Sequence, residues 1–207
     1  MNRIILLIER LNHWVGHSFA WCILVLTFAT SYEVFVRYVL NDPTAWAFDI
    51  SYIMYGTLFM MAGGYALSRG SHVRGDVIYR LWPPRVQAMI EFVLFFVFFY
   101  PGVLALIYAG YHYAAESVGY REASINSPAG VPVYPLKIIL PLAAFFLLLQ
   151  GIAETGRCVQ CLRTGEWPKR LADVEEMETI IREQKRKEEE EARMAAEQRG
   201  EAKEETP

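Results

Sequence analysis

Residues 86–115, VQAMIEFVLFFVFFYPGVLALIYAGYHYAA, form an apolar run in which Glu91 is the only charged side chain. A helix of about 20 residues, rising 1.5 Å per residue, crosses the hydrocarbon core of a bilayer. The run therefore predicts a membrane-spanning helix, long enough that it must tilt, kink or protrude. Pro101, near its middle, is the candidate position for a kink because proline removes one backbone hydrogen bond.

Three other segments, residues 14–40, 46–67 and 133–156, are also long and apolar enough to be spans. The predicted fold class is therefore all-α, a four-transmembrane-helix domain over residues 14–160. Pro141 is expected in the first turns of the last span, where a proline is tolerated best.

A short interfacial helix is predicted ahead of the spans, over residues 1–13. The apolar residues there recur at helical spacing and are Ile4, Ile5, Ile8 and Leu11. The charged residues outside that stripe are Arg3, Glu9 and Arg10. An N-terminal extension of the first span fits the same pattern.

The charged residues are concentrated at the C-terminus. Of the 43 in the 207-residue chain, 22 lie in residues 168–207, so the rest of the chain has about half the charge density of a soluble domain. Residues 161–207 are predicted to be a cytoplasmic tail, amphipathic and then highly charged, which is either helical or disordered. Its apolar stripe consists of Leu171, Val174, Met177 and Ile181. The net charge of −3 predicts no nucleic-acid partner.

Lys and Arg are distributed unequally among the predicted loops. The second loop contains Arg69, Arg74, Arg80 and Arg85, whereas the first contains no basic residue and the third only Arg121. Because basic loops stay on the cytoplasmic side, both termini are predicted to be cytoplasmic.

Three ionisable residues lie near the predicted outer ends of the first two spans. Glu33 and Arg37 share a helix face, and Asp49 enters the second span at a similar depth. Intramembrane charges cost roughly 2.5–3.5 kcal/mol each on insertion scales, so we expect them to have partners. Two interpretations stay open: a buried triad that helps carry an ion, or an interfacial cluster that pins two helices. The position near one interface favours the second.

Neither histidines nor cysteines predict a metal or cofactor site. His13 and His17 share a face, but no carboxylate or cysteine reinforces them. No histidine pair is expected at matching depth on two spans, as a b-type haem requires. Cys158 and Cys161 form an isolated Cys-x-x-Cys motif, for which reduced thiols are the expected state. The sequence shows no catalytic motif, and we predict that the chain is not an enzyme.

Small residues cluster in the second and third spans and favour close helix packing. They are Ala62, Gly63, Gly64, Ala66, Gly102, Ala105, Ala109 and Gly110. Packing among the chain's own helices and packing against a partner membrane protein are both consistent with them.

The region from the first span to the second loop carries a combination of motifs. In order these are Glu33-x3-Arg37-x8-Trp46-x2-Asp49, Gly63-Gly64 and Gly70-x-His72-x3-Asp76. With Pro43 and Pro141, the combination resembles the small membrane subunit of the tripartite ATP-independent periplasmic (TRAP) transporters, over about residues 10–160. Asp49 stands where that family more often has Glu, and Gly75 replaces a more usual β-branched residue.

The resemblance implies a scaffold subunit in the bacterial inner membrane, surrounded by lipid. A separate large membrane subunit would hold the substrate and sodium sites, and a periplasmic substrate-binding protein would deliver an organic acid. The small subunit would pack beside the large one without binding substrate or ions. On this interpretation Glu33, Arg37 and Asp49 brace the outer end, whereas His72 and Asp76 shape the inner loop.

Two other classes of protein remain consistent with the residues themselves. One is a four-helix membrane redox protein that uses haem or thiols. The other is a self-sufficient small transporter that oligomerises around a pore.

Overall fold

The computed structural model describes residues 3–70, 82–126, 128–168 and 170, together with residues 177, 180, 181, 184 and 186. The chain divides into two units, Met1–Pro168 and Lys169–Pro207. His72, Asp76 and most of the second loop lie outside the described residues.

Four helical stretches in the first unit are long and apolar enough to cross a bilayer. They are Arg3–Leu40, Ala47–Ser68, Pro84–Gly119 and Tyr134–Thr164. The predicted all-α class and the predicted number of spans are thereby confirmed for the part of the chain that is described. In the second unit, Met177 and Ile181 are helical, whereas Leu171 and Val174 of the predicted stripe lie outside the described residues.

Two of the stretches are interrupted, which gives six α-helices. These are α1 (Arg3–Ala20), α2 (Cys22–Phe35), α3 (Ala47–Ser68), α4 (Pro84–Leu94), α5 (Tyr100–Gly119) and α6 (Tyr134–Thr164). Trp21 separates α1 from α2, a π-helical turn (Val36–Leu40) follows α2, and a second (Phe95–Phe99) joins α4 to α5.

The second π turn lies directly before Pro101. The backbone N–H of Tyr100 bonds to the carbonyl of Phe95, five residues earlier, instead of the usual four. Such turns accompany local irregularities in helices, and Pro101 contributes to this one because it lacks an N–H. Pro141 lies inside α6, well past its first residue, Tyr134, and so deeper in the helix than the first-turn position where proline is tolerated best.

Helices α3 and α6 pack against each other at the centre of the first unit. Helices α1 and α2 both pack along α3. Helices α4 and α5 both pack along α6, and α1 also contacts α6. A small core of Val15, Met61 and Ala143 joins α1, α3 and α6. We call one end of this unit the loop end; it contains residues 41–46 and 120–133. We call the opposite end the terminal end; it contains the start of α1 and the last turns of α6.

The face of the N-terminal helix that is buried inside the molecule carries charged and polar residues. Glu9, placed outside the predicted apolar stripe, is 1% exposed, whereas Ile4 is 70% exposed. Helix α1 continues through residues 13 and 14 to Ala20 and buries Ile5, Glu9, Asn12 and Val15. In a bilayer, apolar side chains are stable against lipid, so a polar face is the one that must find protein partners.

The described residues leave most of the surface of the four spans uncovered. Between 11% and 33% of the most apolar window of each span is buried inside the molecule. The remaining surface is available to lipid or to a partner membrane protein.

Candidate functional site

Five buried polar side chains meet at the terminal end, between α1 and α6. This terminal cluster consists of Glu9, Asn12, Gln150, Glu154 and Arg157, and each member is at most 2% exposed. The Arg157 guanidinium donates to the Glu9 carboxylate. Asn12 Nδ2 donates to Gln150 Oε1 at 3.0 Å, and Gln150 Nε2 donates to Glu154 Oε1 at 3.3 Å.

Helical spacing positions this cluster. Positions 9 and 12 are three apart on α1, and positions 150, 154 and 157 follow steps of four and three on α6, so each set lies on one face. The signal was present in the sequence as polar residues at helical spacing within apolar helices. Asn12, Gln150, Glu154 and Arg157 were not among the predicted site residues.

Glycines on the facing helices allow the close approach. A Cβ on Gly64 of α3 would lie 2.6 Å from Asn12 Oδ1, and one on Gly156 would lie 3.2 Å from Ile5 Cδ1. Real Cβ atoms do not come within 2.6 Å of another heavy atom, so a side chain at position 64 would displace Asn12.

The energetic character of the cluster follows from its burial. A buried ion pair costs desolvation that its own attraction offsets only when the geometry and further hydrogen bonds are good. Among the described residues, the buried Nε atom of Arg157 has no hydrogen-bond partner. The pair therefore fixes α1 against α6 more than it adds net stability, and loss of one partner would be costly.

At the loop end, Glu33 and Arg37 form the predicted pair. Arg37 Nη2 lies 2.5 Å and Nε lies 2.9 Å from Glu33 Oε1. The second oxygen of Glu33 accepts hydrogen bonds from the backbone N–H of Thr44, at 3.0 Å, and from its hydroxyl. Glu33 therefore ties the end of α2 to the first loop, while Arg37 remains half exposed.

Asp49 is buried at the start of α3 and accepts a hydrogen bond from the third loop. Ser124 Oγ of the third loop donates to Asp49 Oδ1 at 2.6 Å. Asp49 lines a cleft with residues of that loop, whereas Glu33 and Arg37 line another cleft between α2 and α3. The three residues expected to act together are thus divided between two sites.

A second ion pair joins the third loop to α6. Lys137 Nζ lies 2.5 Å from Glu122 Oε2 and 3.9 Å from the centre of the Tyr113 ring. Ser117 Oγ donates to the same carboxylate at 2.7 Å. The pKa of Glu122 is lowered, chiefly by the hydrogen bond from Lys137 and to a smaller extent by the one from Ser117. We call Glu33–Arg37 and Glu122–Lys137 the loop-end pairs.

The other predicted site residues have separate surroundings. Trp46 precedes α3 and stacks on Tyr32 of α2, with ring centres 6.0 Å apart. A Cβ on Gly63 would meet nothing within 4 Å, in contrast to Gly64. Pro141 packs against Gly110, where an added Cβ would lie 3.5 Å from the proline Cδ.

The described histidines and the two cysteines of α6 are engaged in packing. His13 stacks on His17, with ring centres 6.3 Å apart. Cys158 Sγ lies 3.7 Å from Glu91 Oε2, and Cys161 Sγ lies 3.5 Å from a backbone carbonyl at the start of α4. Within the described residues, no three His, Cys, Asp or Glu side chains are grouped to hold a metal ion.

The chain was compared with known proteins. The family model described as tripartite ATP-independent periplasmic transporters, DctQ component, matches residues 26–161, which is more than half of the chain. No curated protein matches.

Proposed function

Because the chain belongs to the DctQ component family of TRAP transporters, which has no catalytic role, we propose that it is a static scaffold beside a large transport subunit. The resemblance seen in the motifs of residues 33–76 is confirmed by this membership. The proposed complex imports an organic acid with sodium, and it receives that acid from a periplasmic binding protein.

The scaffold proposal rests mainly on the ion pairs that charged side chains form within this chain. Glu9, Glu33 and Glu122 each pair with a basic side chain of the same chain. Two of these pairs, Glu9–Arg157 and Glu122–Lys137, also link different parts of the chain to one another. Ion carriers need sites that bind and release their cargo, whereas these side chains serve as fixed links between helices and loops.

The uncovered surface of the spans supports a large membrane partner. With at most a third of each apolar window buried, most of the lipid-depth surface is free to contact another subunit. Gly63 and Gly102 have open space where a Cβ would be, and such positions suit close approach by a partner helix.

We further propose that the terminal end is cytoplasmic and the loop end periplasmic. Arg69 and Arg85 lie beside the ends of helices at the terminal end, and Arg163 lies in the last turn of α6. The described residues of the two loop-end connections contain one basic residue, Arg121. The positive-inside rule then supports this orientation.

Co-expression with the large subunit encoded alongside it tests this function. We expect the two to copurify in detergent, and we expect sodium-gradient uptake in proteoliposomes only when both subunits and the binding protein are present. Vesicles that contain this chain alone are the control. Uptake by those vesicles would favour a self-sufficient transporter, and a Soret band in the purified chain would favour a haem protein.

Hydrogen–deuterium exchange of the assembled complex tests the static role. We expect peptides of α3 and α6 to exchange at the same rate with and without sodium and substrate, while peptides of the large subunit change. Substrate-dependent exchange in α3 or α6 would contradict a static scaffold.

A further inference from the structure

Helix α1 carries basic side chains on one face near the terminal end. Arg10, His13 and His17 follow each other at steps of three and four residues, so they lie on the same side of the helix. Arg10 and His17 are exposed, and His13 is partly buried. Within the described part of the chain, none of the three forms an ion pair.

The acidic side chains of the helices around this face are used elsewhere. Glu9 is the only acidic residue of α1, and it is buried and paired with Arg157 of α6. Helix α3 contains a single acidic residue, Asp49, which lies in its first turn at the loop end. The positive charge of Arg10 therefore remains available to an anion.

A series of ring contacts joins this face to the end of α3. The ring centre of His13 lies 6.3 Å from that of His17 and 5.6 Å from that of Tyr65. The guanidinium of Arg69 lies 5.3 Å from the centre of the Tyr65 ring. Gly16 permits this approach, because a Cβ there would lie 2.6 Å from Tyr65 Cβ. The groove between α1 and α3 is thus lined by basic and aromatic side chains.

Exposed tryptophans and apolar side chains continue this surface along the chain. Trp14 is 69% exposed and Trp21 is 64% exposed. Tryptophan is enriched at the level of the lipid head groups, where its ring has one polar and one apolar side. Beyond Trp21, Leu24 and Phe28 of α2 are also exposed. The order from Arg10 onward is therefore basic, aromatic and apolar, which is the order of polarity in a phospholipid from head group to acyl chain.

We propose that this face of α1, together with the end of α3, binds one anionic phospholipid. The lipid phosphate would accept hydrogen bonds from Arg10, His13 and His17, since arginine stays charged and a neutral imidazole keeps one N–H. The acyl chains would lie against Trp21 and Phe28. A zwitterionic lipid would bring a cationic group toward Arg10, so the site selects a head group with net negative charge.

The site goes beyond the proposed function. Helix α1 precedes residues 26–161, which the family model matches. The lipid is supplied by the membrane itself, and its binding requires neither substrate nor a transport partner.

Titration of the full-length chain in detergent with phosphatidylglycerol tests the site, with bound lipid counted by native mass spectrometry. We expect one molecule to bind several-fold more tightly than phosphatidylcholine with the same acyl chains. Glycerol 3-phosphate should not compete, because it lacks the acyl chains. Equal affinity for the two lipids would overturn the proposal, and full competition by glycerol 3-phosphate would assign the site to a soluble phosphate compound instead.

Arg10→Gln tests the charge that carries the site. We expect the affinity for phosphatidylglycerol to fall about fivefold, which is the contribution of one basic side chain near a membrane surface. The matched control is Arg163→Gln, which removes an exposed arginine from the last turn of α6 and should leave the affinity unchanged. Equal effects of the two variants would show a general attraction between opposite charges and would overturn a defined site.

His17→Phe keeps an aromatic ring next to His13 and removes the nitrogen atoms. We expect the affinity for phosphatidylglycerol to fall about two- to threefold, in line with the loss of one hydrogen bond. Because Arg10 and His17 are both exposed, both variants should unfold at the wild-type denaturant concentration when no lipid is added. Unchanged lipid affinity in both folded variants would overturn the site.

The same titration on the complex with the large subunit separates a lipid site from a subunit interface. We expect the affinity for phosphatidylglycerol to stay within about twofold of that of the chain alone. Loss of lipid binding on assembly would show that the large subunit covers this face and would overturn the proposal. If the two subunits do not copurify, the proposed function fails, whereas titration of the chain alone still decides whether the lipid site exists.

Discussion

The terminal cluster and the loop-end pairs place ionised side chains in different surroundings. The side chains of Arg157 and Glu9 are each 2% exposed. Each loop-end pair instead has one partner that is about half exposed, Arg37 at 52% or Glu122 at 42%, and one that is largely buried, Glu33 at 13% or Lys137 at 11%. All of these pairs bring opposite charges into contact. The pairs differ in what surrounds the remaining side chain when one partner is removed. Protein and lipid surround the Glu9–Arg157 pair, whereas lipid head groups or water can reach the loop-end pairs.

This difference predicts unequal costs from similar chemistry. A charge left unpaired in a buried site keeps its full desolvation cost, but an exposed one is solvated again. The terminal cluster should therefore determine whether α1 stays packed on α6. The loop-end pairs should adjust the position of loops with small effects on stability.

The largest effect is expected from Arg157→Ala. Removing the guanidinium breaks the ion pair of Arg157 with Glu9 inside a buried site, which should lower the free energy of unfolding by about 3–5 kcal/mol. The measurement is denaturant unfolding of the purified chain in detergent.

Two controls sharpen that result. Arg163→Ala, at an exposed position of the same helix, should change stability by less than about 0.5 kcal/mol. The double variant Glu9→Met/Arg157→Met should recover most of the loss, because an apolar pair of similar volume needs no desolvation. If Arg157→Ala costs no more than Arg163→Ala, the pair does not fix α1.

The next effect is expected from Gly64→Ala. The new methyl group would displace Asn12 and break its hydrogen bond to Gln150, at a cost of about 1–3 kcal/mol. Gly63→Ala is the matched control, since its methyl group meets open space and should be neutral or slightly stabilising in the isolated chain. Equal losses for the two glycines would contradict the packing described for α1 and α3.

A smaller effect is expected from Arg37→Ala. Because the guanidinium is half exposed, its loss should cost no more than about 1 kcal/mol, measured by the same unfolding experiment. Glu33→Ala should cost more than Arg37→Ala, because Thr44 also loses its acceptor. The reverse order would mean that the pair, rather than the link to the first loop, stabilises this end.

The smallest effect is expected from the pH dependence of Glu122. A carboxyl whose pKa is lowered on folding adds stability above its unfolded pKa of about 4.3, and that stability is lost as the pH falls through the lowered value. The melting temperatures of wild type and Glu122→Gln should therefore differ at pH 7 and converge as the pH falls through the lowered pKa of Glu122. A difference that is unchanged at acid pH would show that the pair does not stabilise the folded loop.

The spans were predictable from sequence, whereas the face of each helix was not. Length and hydropathy located four apolar segments because the bilayer imposes both. The stripe of Ile4, Ile5, Ile8 and Leu11 did not specify the face that packs on α6, because lipid accepts apolar side chains as well as a protein core does. Reading Glu9 and Asn12 as the buried face would have predicted the packing of α1.

The pairing of charged residues was only partly predictable. Glu33 and Arg37 lie on one helix, so their spacing identified the pair. Asp49 was assigned to the same group from depth alone, but its partner Ser124 is 75 residues away in sequence, in a loop. Partners that are distant along the chain depend on which helices are neighbours, and a single sequence does not specify that.

The most direct measurement is sodium-driven uptake per assembled complex by the double variant Glu9→Met/Arg157→Met. If charged side chains inside this subunit hold helices together and carry no ions, uptake should stay within about twofold of wild type once the amount of complex is matched. A loss of about tenfold or more, with assembly at the wild-type level, would show that the pair takes part in transport and would contradict the scaffold account.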